Sequence, residues 1–262
     1  MSRFDWYQAT VHGLTEVVLT AVNNALLNVF DLSDFAPSTP LNGYTHGAVI
    51  RRGDTVFASI FWGGNRGVNV KGTGENAPQI SKALRSLPYR HRVTRVDSCV
   101  DWVESGLFDR LASSLIAFAL EHDIKINQQG DWERGQARTL YLGAPSSTVR
   151  LVLYEKGYES GGDSDWVRLE ARVRPRGDHG YLVATWSPDD VFRASRWLVG
   201  ALECIGWDGL IARSVGTVWR PSDLDRAKLA LIRQYRRTLL SWADQVGGWD
   251  MLAVELQREC EG

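Results

Sequence analysis

The sequence predicts an α+β protein: an antiparallel sheet with helices packed on one face, followed by a helical C-terminal region. Three observations carry this. Residues 151–156 and 166–172 alternate apolar and polar side chains with period two, the pattern of strands with one buried face. The turn-rich stretch Ser160-Gly161-Gly162-Asp163-Ser164 between them predicts an antiparallel pair. Strand signals interleave with helical ones up to Pro175-Arg176-Gly177-Asp178 and stop there.

In chain order, residues 6–11 read as a first strand. Residues 16–30 carry Val18, Leu19, Val22, Leu26 and Val29 close to one stripe, which predicts a helix. Pro37 and Pro40 make residues 36–40 a loop. Residues 44–52 and 55–62 predict a hairpin turned at Arg52-Gly53-Asp54, and 68–71 a short strand. Residues 77–87 form a helix that stops before Pro88. Residues 92–103 are a strand with Arg95, Asp97, Cys99 and Asp101 on one face, and 107–121 a helix. Residues 138–142 and 149–156 form a further hairpin, and the Trp166 strand follows. Beyond residue 178 only helices are predicted, at 188–205 and 221–246, each opened by a proline, with a short one after Trp249. The expected organisation is a mixed α+β domain over 1–178 and a helical region over 179–262.

Composition narrows the class. The chain has 262 residues, 44% of them hydrophobic, with a net charge of −1, so any attraction to nucleic acid must come from local patches. Three cysteines without metal-type spacing fit free thiols in a reducing cytoplasm. No apolar run approaches the roughly 20 residues that span a bilayer, and the N-terminus lacks a signal-peptide profile. No membrane partner is expected. The five histidines are scattered, and residues 63–67 are glycine-rich but lack the Lys-Ser/Thr of a phosphate loop, so they read as a turn.

Three groups of residues bear on chemistry. Asp97 and Asp101, four apart on one strand, point to the same side, and Glu170 is available as a third acid. They are either solvent-facing acids paired with Arg95 or Arg168, or oxygen ligands for a hard cation such as Mg²⁺ or Mn²⁺. Tyr154 shares the face of Arg150, Val152 and Lys156, while Glu170 shares that of Arg168, Arg172 and Arg174. It is either a packed strand tyrosine or a nucleophile whose phenolate a metal, Lys156 or guanidiniums would favour. Tyr158 is a second candidate near the turn. Basic clusters at Lys82, Arg85, Arg90, Arg92 and Arg95, at Arg168 to Arg176, and at Arg226, Lys228, Arg233, Arg236 and Arg237 suit phosphate contact or simple solvation. If the Tyr154 and Glu170 faces coincide, one sheet surface carries a phenol, carboxylates, an ammonium and guanidiniums, a set suited to cutting a phosphodiester.

Four stretches in order, around residues 94–101, 139–147, 149–156 and 166–170, resemble the serial motifs of the Rep_trans family, the rolling-circle replication initiation factors of plasmids, phages and related mobile elements. The resemblance covers roughly residues 90–175. It implies a nickase that opens one strand of an origin, with Tyr154 becoming linked to the 5′-phosphate and Lys156 orienting or activating it. It also implies Asp97, Asp101 and Glu170 as metal ligands; the residues themselves lead us to expect Mg²⁺ or Mn²⁺ there, with Arg95, Arg150, Arg168 and Arg172 holding the DNA backbone. Val152 stands where a family arginine is frequent, with Arg150 two residues further back. The implied partners are double- and single-stranded origin DNA, with a host helicase or a second copy of the chain at the helical region. The rival readings are a non-catalytic sheet-face nucleic-acid-binding module, a conjugative relaxase with the same site, and a dimeric accessory factor.

Overall fold

Period-two alternation builds a sheet here because each strand can bury its apolar face only against helices. The computed structural model describes residues 1–31, 33–161, 165–207, 209–216 and 223–261, and the backbone alone at 160, 223–226, 229, 233 and 261. The first compact unit, Met1–Val218, is organised on a ten-stranded sheet. Its strands are β1 (Arg3–Val11), β2 (Asp34–Pro37), β3 (His46–Arg52), β4 (Thr55–Trp62), β5 (Val68–Thr73), β6 (His91–Val103), β7 (Ile126–Asp131), β8 (Gln136–Leu142), β9 (Val149–Glu155) and β10 (Trp166–Val173). They lie in the order β2-β3-β4-β5-β1-β6-β10-β9-β8-β7, and every ladder is antiparallel. Two meanders, β2 to β5 and β7 to β9, therefore flank three central strands, β1, β6 and β10, drawn from distant parts of the chain.

One sheet face is the core. Val93, Val96 and Val100 of β6 and Val167, Leu169, Ala171 and Val173 of β10 are buried in it. The stripe Val18, Val22 and Leu26 of α1 (Thr15–Val29) and Ile80 and Leu84 of α2 (Ala77–Ser86) join the same cluster. So do Leu115 and Ala119 of α3 (Leu107–Glu121), whose bounds match the sequence expectation. The α+β class, with helices against the apolar face, is as predicted.

Several local expectations change. β1 begins at Arg3 rather than Trp6, β2 runs into the loop expected over residues 36–40, and β7 forms where no element was expected. β9 ends at Glu155, and Lys156 opens a short helix, α4 (Lys156–Ser160), instead of continuing the strand. The expected turn over residues 160–164 falls in part outside the described residues. The single helix expected over 188–205 is two, α6 (Pro188–Val191) and α7 (Arg196–Glu203). Ser195 restarts the helix by accepting the Leu198 N–H at 3.2 Å.

The segment after residue 178 is also redistributed. Helix α5 (His179–Val183) contacts β6, α6 packs on β1, β6 and β10, and α7 on β9 and α3. Trp186 and Phe192 are fully buried in the sheet's core. The compact boundary lies at Val218/Trp219 rather than 178/179, because these short helices complete the core. The second unit, Trp219–Gly262, pairs α8 (Asp223–Val246) with α9 (Trp249–Glu261), and Trp242 Nε1 donates to Glu255 Oε2 at 2.8 Å. Pro221, Trp219 and the side chains of Arg226 and Arg233 lie outside the described residues. No helix among the described residues is long and apolar enough to cross a membrane.

Sheet and helix meet closely at Gly72 of β5, where an added Cβ would lie 2.3 Å from Ile80 Cγ1. Gly72→Ala is expected to cost about 1–3 kcal/mol by overpacking. Chemical denaturation of Gly72→Ala, Ile80→Ala and the double variant should show the double to be less destabilised than the sum of the singles. Strict additivity would contradict this packing.

Candidate active site

The polar face of the central strands holds the site, and strand register decides which groups meet. Across β6 and β10, Asp97 lies opposite Arg172, Cys99 opposite Glu170 and Asp101 opposite Arg168. Across β10 and β9, Arg168 lies opposite Tyr154, Glu170 opposite Val152 and Arg172 opposite Arg150. On the other side, Phe4 of β1 pairs with Ser98 and Trp6 with Asp97, leaving Asp5 as the extra residue of a bulge. The bulge brings Asp5 and Trp6 to the same face. A cavity of ≈ 470 Å³ is lined by Asp5, Asp97, Tyr154, Lys156, Glu170 and Arg172 among others.

Each carboxylate is engaged by guanidinium. Arg95 Nε donates to both oxygens of Asp97, at 3.1 and 3.0 Å. Arg168 forks onto Asp101 at 2.6 and 3.1 Å and donates its third arm to Asp5 at 2.8 Å. Arg3 closes on Asp101 at 2.6 Å. Arg172 forks onto Glu170 at 2.8 and 3.2 Å, and its Nε is 3.9 Å from Asp97. Asp97, Glu170 and Arg168 are only 1%, 2% and 4% exposed, so any charge on them is tolerable only where it is paired. Tyr154, half-buried, donates its hydroxyl hydrogen to Glu170 Oε2 at 3.5 Å.

Burial and crowding of like charge tune these groups. Burial, with a smaller contribution from Glu170, pushes Asp97 up to about 7 despite Arg95. Burial and then Glu170 raise Asp5 as well. For Asp101 burial also opposes ionisation, but hydrogen bonds from Arg168 and Arg3 overcome it and hold the carboxyl below its usual range. Burial, then the charge of Glu170, lifts the Tyr154 hydroxyl well above the ordinary phenol range. The hydroxyl is therefore neutral, and Glu170 Oε2 is the acceptor that faces it. Cys99 is pushed up to about 12 by burial, an inert thiol among the acids.

Most residues singled out in the sequence converge, with exceptions. Asp97, Glu170, Tyr154, Arg95, Arg168 and Arg172 share the site. Lys156 lines the cavity from α4; its Nζ pairs with Glu159 at 2.5 Å and lies 5.8 Å from the Tyr154 ring centre. Arg150 stands one residue pair away, donating to the Gly143 carbonyl at 3.2 Å and packing on Tyr141. Arg85, read as part of a basic cluster beside the site, lies elsewhere: it donates to the carbonyls of Ala184 and Trp186, at 2.9 and 2.6 Å. Tyr158 is exposed on α4. Asp5 was missed because the strand was expected to start at Trp6, three residues after its observed start at Arg3, with the bulge at Asp5 interrupting the register.

The three-acid set Asp97, Asp101 and Glu170 reaches one face but not one point. Among the described residues, no three acidic, histidine or cysteine side chains are close enough together to hold an ion. Asp101 is withdrawn by the Arg168 fork and Arg3. Asp97 and Glu170 do fit a hard cation that keeps waters and needs only one or two protein carboxylates. Both are oxygen donors, buried, and mutually repulsive, with Asp5 adding to that repulsion.

No family model and no curated protein matches this sequence. A solved rolling circle replication initiator protein from Geobacillus stearothermophilus shares the fold, with a TM-score of 0.53 and 23% identity, over 77% of this chain and 84% of that chain.

Asp97 gives a pH signature. Its folded-state pKa exceeds the unfolded value, so between about pH 4 and 7 the native state binds the extra proton and Asp97's contribution to stability falls as pH rises. Relative to Asp97→Asn, the native protein should lose stability across that window, by at most about 1.4 kcal/mol per pH unit. A flat difference in urea denaturation from pH 4 to 7 would contradict the burial described.

Proposed function

We propose that the protein is a rolling-circle replication initiator that nicks one strand of an origin through a covalent 5′-phosphotyrosine at Tyr154 and later rejoins it. The observation that carries this reading is the placing of the Tyr154 hydroxyl against Glu170, inside a guanidinium-rich cavity at the centre of the sheet. The fold shared with a known initiator supports it.

In this reading Tyr154 Oη attacks the scissile phosphorus in line. The P–Oη bond forms as the bond to the 3′-oxygen breaks; the phenol proton passes to Glu170, and the departing 3′-oxygen takes a proton from water. The linkage energy is kept, so a 3′-hydroxyl can reverse the step. Arg95, Arg168 and Arg172 exchange part of their carboxylate contacts for phosphate oxygens. Lys156 stabilises negative charge near the phenolate. Mg²⁺ or Mn²⁺, held by Asp97 and Glu170, would neutralise charge on the phosphate. Origin DNA, double-stranded at recognition and single-stranded at cleavage, is the required partner.

One observation favours a second reading. Carboxylates already neutralised by guanidiniums suit a sheet-face nucleic-acid-binding module that performs no chemistry.

The test uses a supercoiled plasmid carrying the protein's own gene and flanking DNA, with Mn²⁺ or Mg²⁺. The native chain should nick it and form a protein–DNA adduct at Tyr154, chelator should abolish both, and Tyr154→Phe should lose the adduct while binding DNA within about two-fold. Full nicking by Tyr154→Phe would end the assignment; binding without cleavage under either ion would favour the second reading.

A further inference from the structure

Beside the catalytic cavity, on the same polar face, lies a larger one of ≈ 770 Å³. Its floor is a fixed row of polar side chains across β1 and β5. Trp6 Nε1 donates to Gln8 Oε1 at 3.3 Å, Gln8 Nε2 to Asn69 Oδ1 at 2.9 Å, and Asn69 Nδ2 to Thr10 Oγ1 at 3.1 Å. Tyr44 and Tyr181 are half-buried at its walls. Arg66, Arg92, Arg95 and Arg174 line it against a single acid, Asp178. Arg95 belongs to both cavities, so the two are continuous through one guanidinium.

Two buried polar atoms at this cavity lack hydrogen-bond partners: Arg174 Nη1 and His12 Nε2. Buried donors are ordinarily satisfied, and an orphaned guanidinium nitrogen in a cationic cleft points to an anion that completes it. Burial chiefly, and then the neighbouring charge of Arg95 for Arg174 and of Arg92 for His12, depresses both groups, so an anion here would be welcomed by each.

We infer that this cavity is a nucleotide-binding subsite for the single strand that enters the catalytic cavity: Arg92 and Arg174 hold backbone phosphates, Tyr44 and Tyr181 stack on an unpaired base, and the Gln8–Asn69 amide row reads its edge. Aromatic walls with a guanidinium-lined track are the chemistry of single-strand binding. Asparagine and glutamine amides pair best with adenine among the bases. The volume lies within the roughly 300–1,000 Å³ that encloses ligand-sized molecules, suited to an unstacked nucleotide and too small for a duplex. The glycine-rich residues 63–67 gain a role as the loop that presents Asn65 and Arg66 to this cavity. This inference rests on the proposed nicking reading and adds how the strand is gripped.

The experiment uses the full chain and mixed-sequence 12-nucleotide single strands, fluorescein-labelled for anisotropy and 5-iododeoxyuridine-substituted for photo-crosslinking. Crosslinks on the unaltered chain should map to Tyr44 or Tyr181. Arg92→Gln and Arg174→Gln should each weaken binding about ten-fold at low salt and shrink the salt slope by about 0.7. Tyr44→Ala should weaken it about ten-fold at unchanged salt slope. Crosslinks confined to other surfaces, or unchanged affinity in the arginine variants, would overturn the inference. The Tyr154 adduct is scored separately. An adduct without crosslinks here refutes the subsite and leaves nicking standing; crosslinks here without an adduct do the reverse.

Discussion

The structure depends on a balance of buried charge across three strands. β1, β6 and β10 bring Asp5, Asp97, Asp101 and Glu170 onto one face at the middle of a ten-stranded sheet. Carboxylates this buried would neutralise or unfold the sheet if left alone. Arg3, Arg95, Arg168 and Arg172 prevent that, each from a position next to or opposite its acid. The register of β6 against β10 is thus fixed from both faces. Valines and leucines lock it from the core side, and opposite charges lock it from the other.

The balance is uneven, and that gives the face its chemical character. Asp101 is held firmly ionised by two guanidiniums, while Asp97 and Asp5 are raised by burial and by Glu170. Asp101 therefore serves as an anchor for Arg168 and Arg3. Asp97 and Asp5 are the acids that burial pushes toward the neutral form, and Glu170 accepts from the Tyr154 hydroxyl. In the proposed function a phosphate would meet donors already in place, and their carboxylate partners would then be freed. On this account the arginines hold the site together when empty and bind the phosphate when it is occupied.

Much of this was legible in the sequence because period two fixes which side of a strand a residue faces. It put Asp97 with Asp101, Glu170 with Arg168 and Arg172, and Tyr154 with Arg150, without any knowledge of partners. Pairing between strands is a different quantity, set by register: the sequence offered Arg95 and Arg168 as partners for these acids, but only the ladder of β10 on β6 decides that Arg168 takes Asp101 and so removes it from the ligand set. β7 escaped because Asn127, Gln128, Gln129 and Gly130 show no apolar alternation, as befits an edge strand with little to bury. β2, at the other edge, is short and ends at Pro37. A bulge hid Asp5, since an inserted residue breaks the alternation that reveals a strand. Lys156 was assigned a strand face it lacks because the helix begins where β9 ends. The loop residues Asn42, Asn65 and Arg66 carry no periodic signal, Tyr44 was expected in a strand that begins only at His46, and only the folded chain shows that they share a cavity with Arg92 and Arg174.

The most direct test of the charge-balance account is a crystal structure of the protein with Mn²⁺ and a short single strand, read by the anomalous signal of the ion. The account predicts one manganese peak between Asp97 and Glu170, with Arg95 or Arg172 turned toward a phosphate and the Arg168 fork on Asp101 intact. An ion seated on Asp101 with Arg168 displaced, or all four guanidiniums unmoved beside a bound strand, would contradict it.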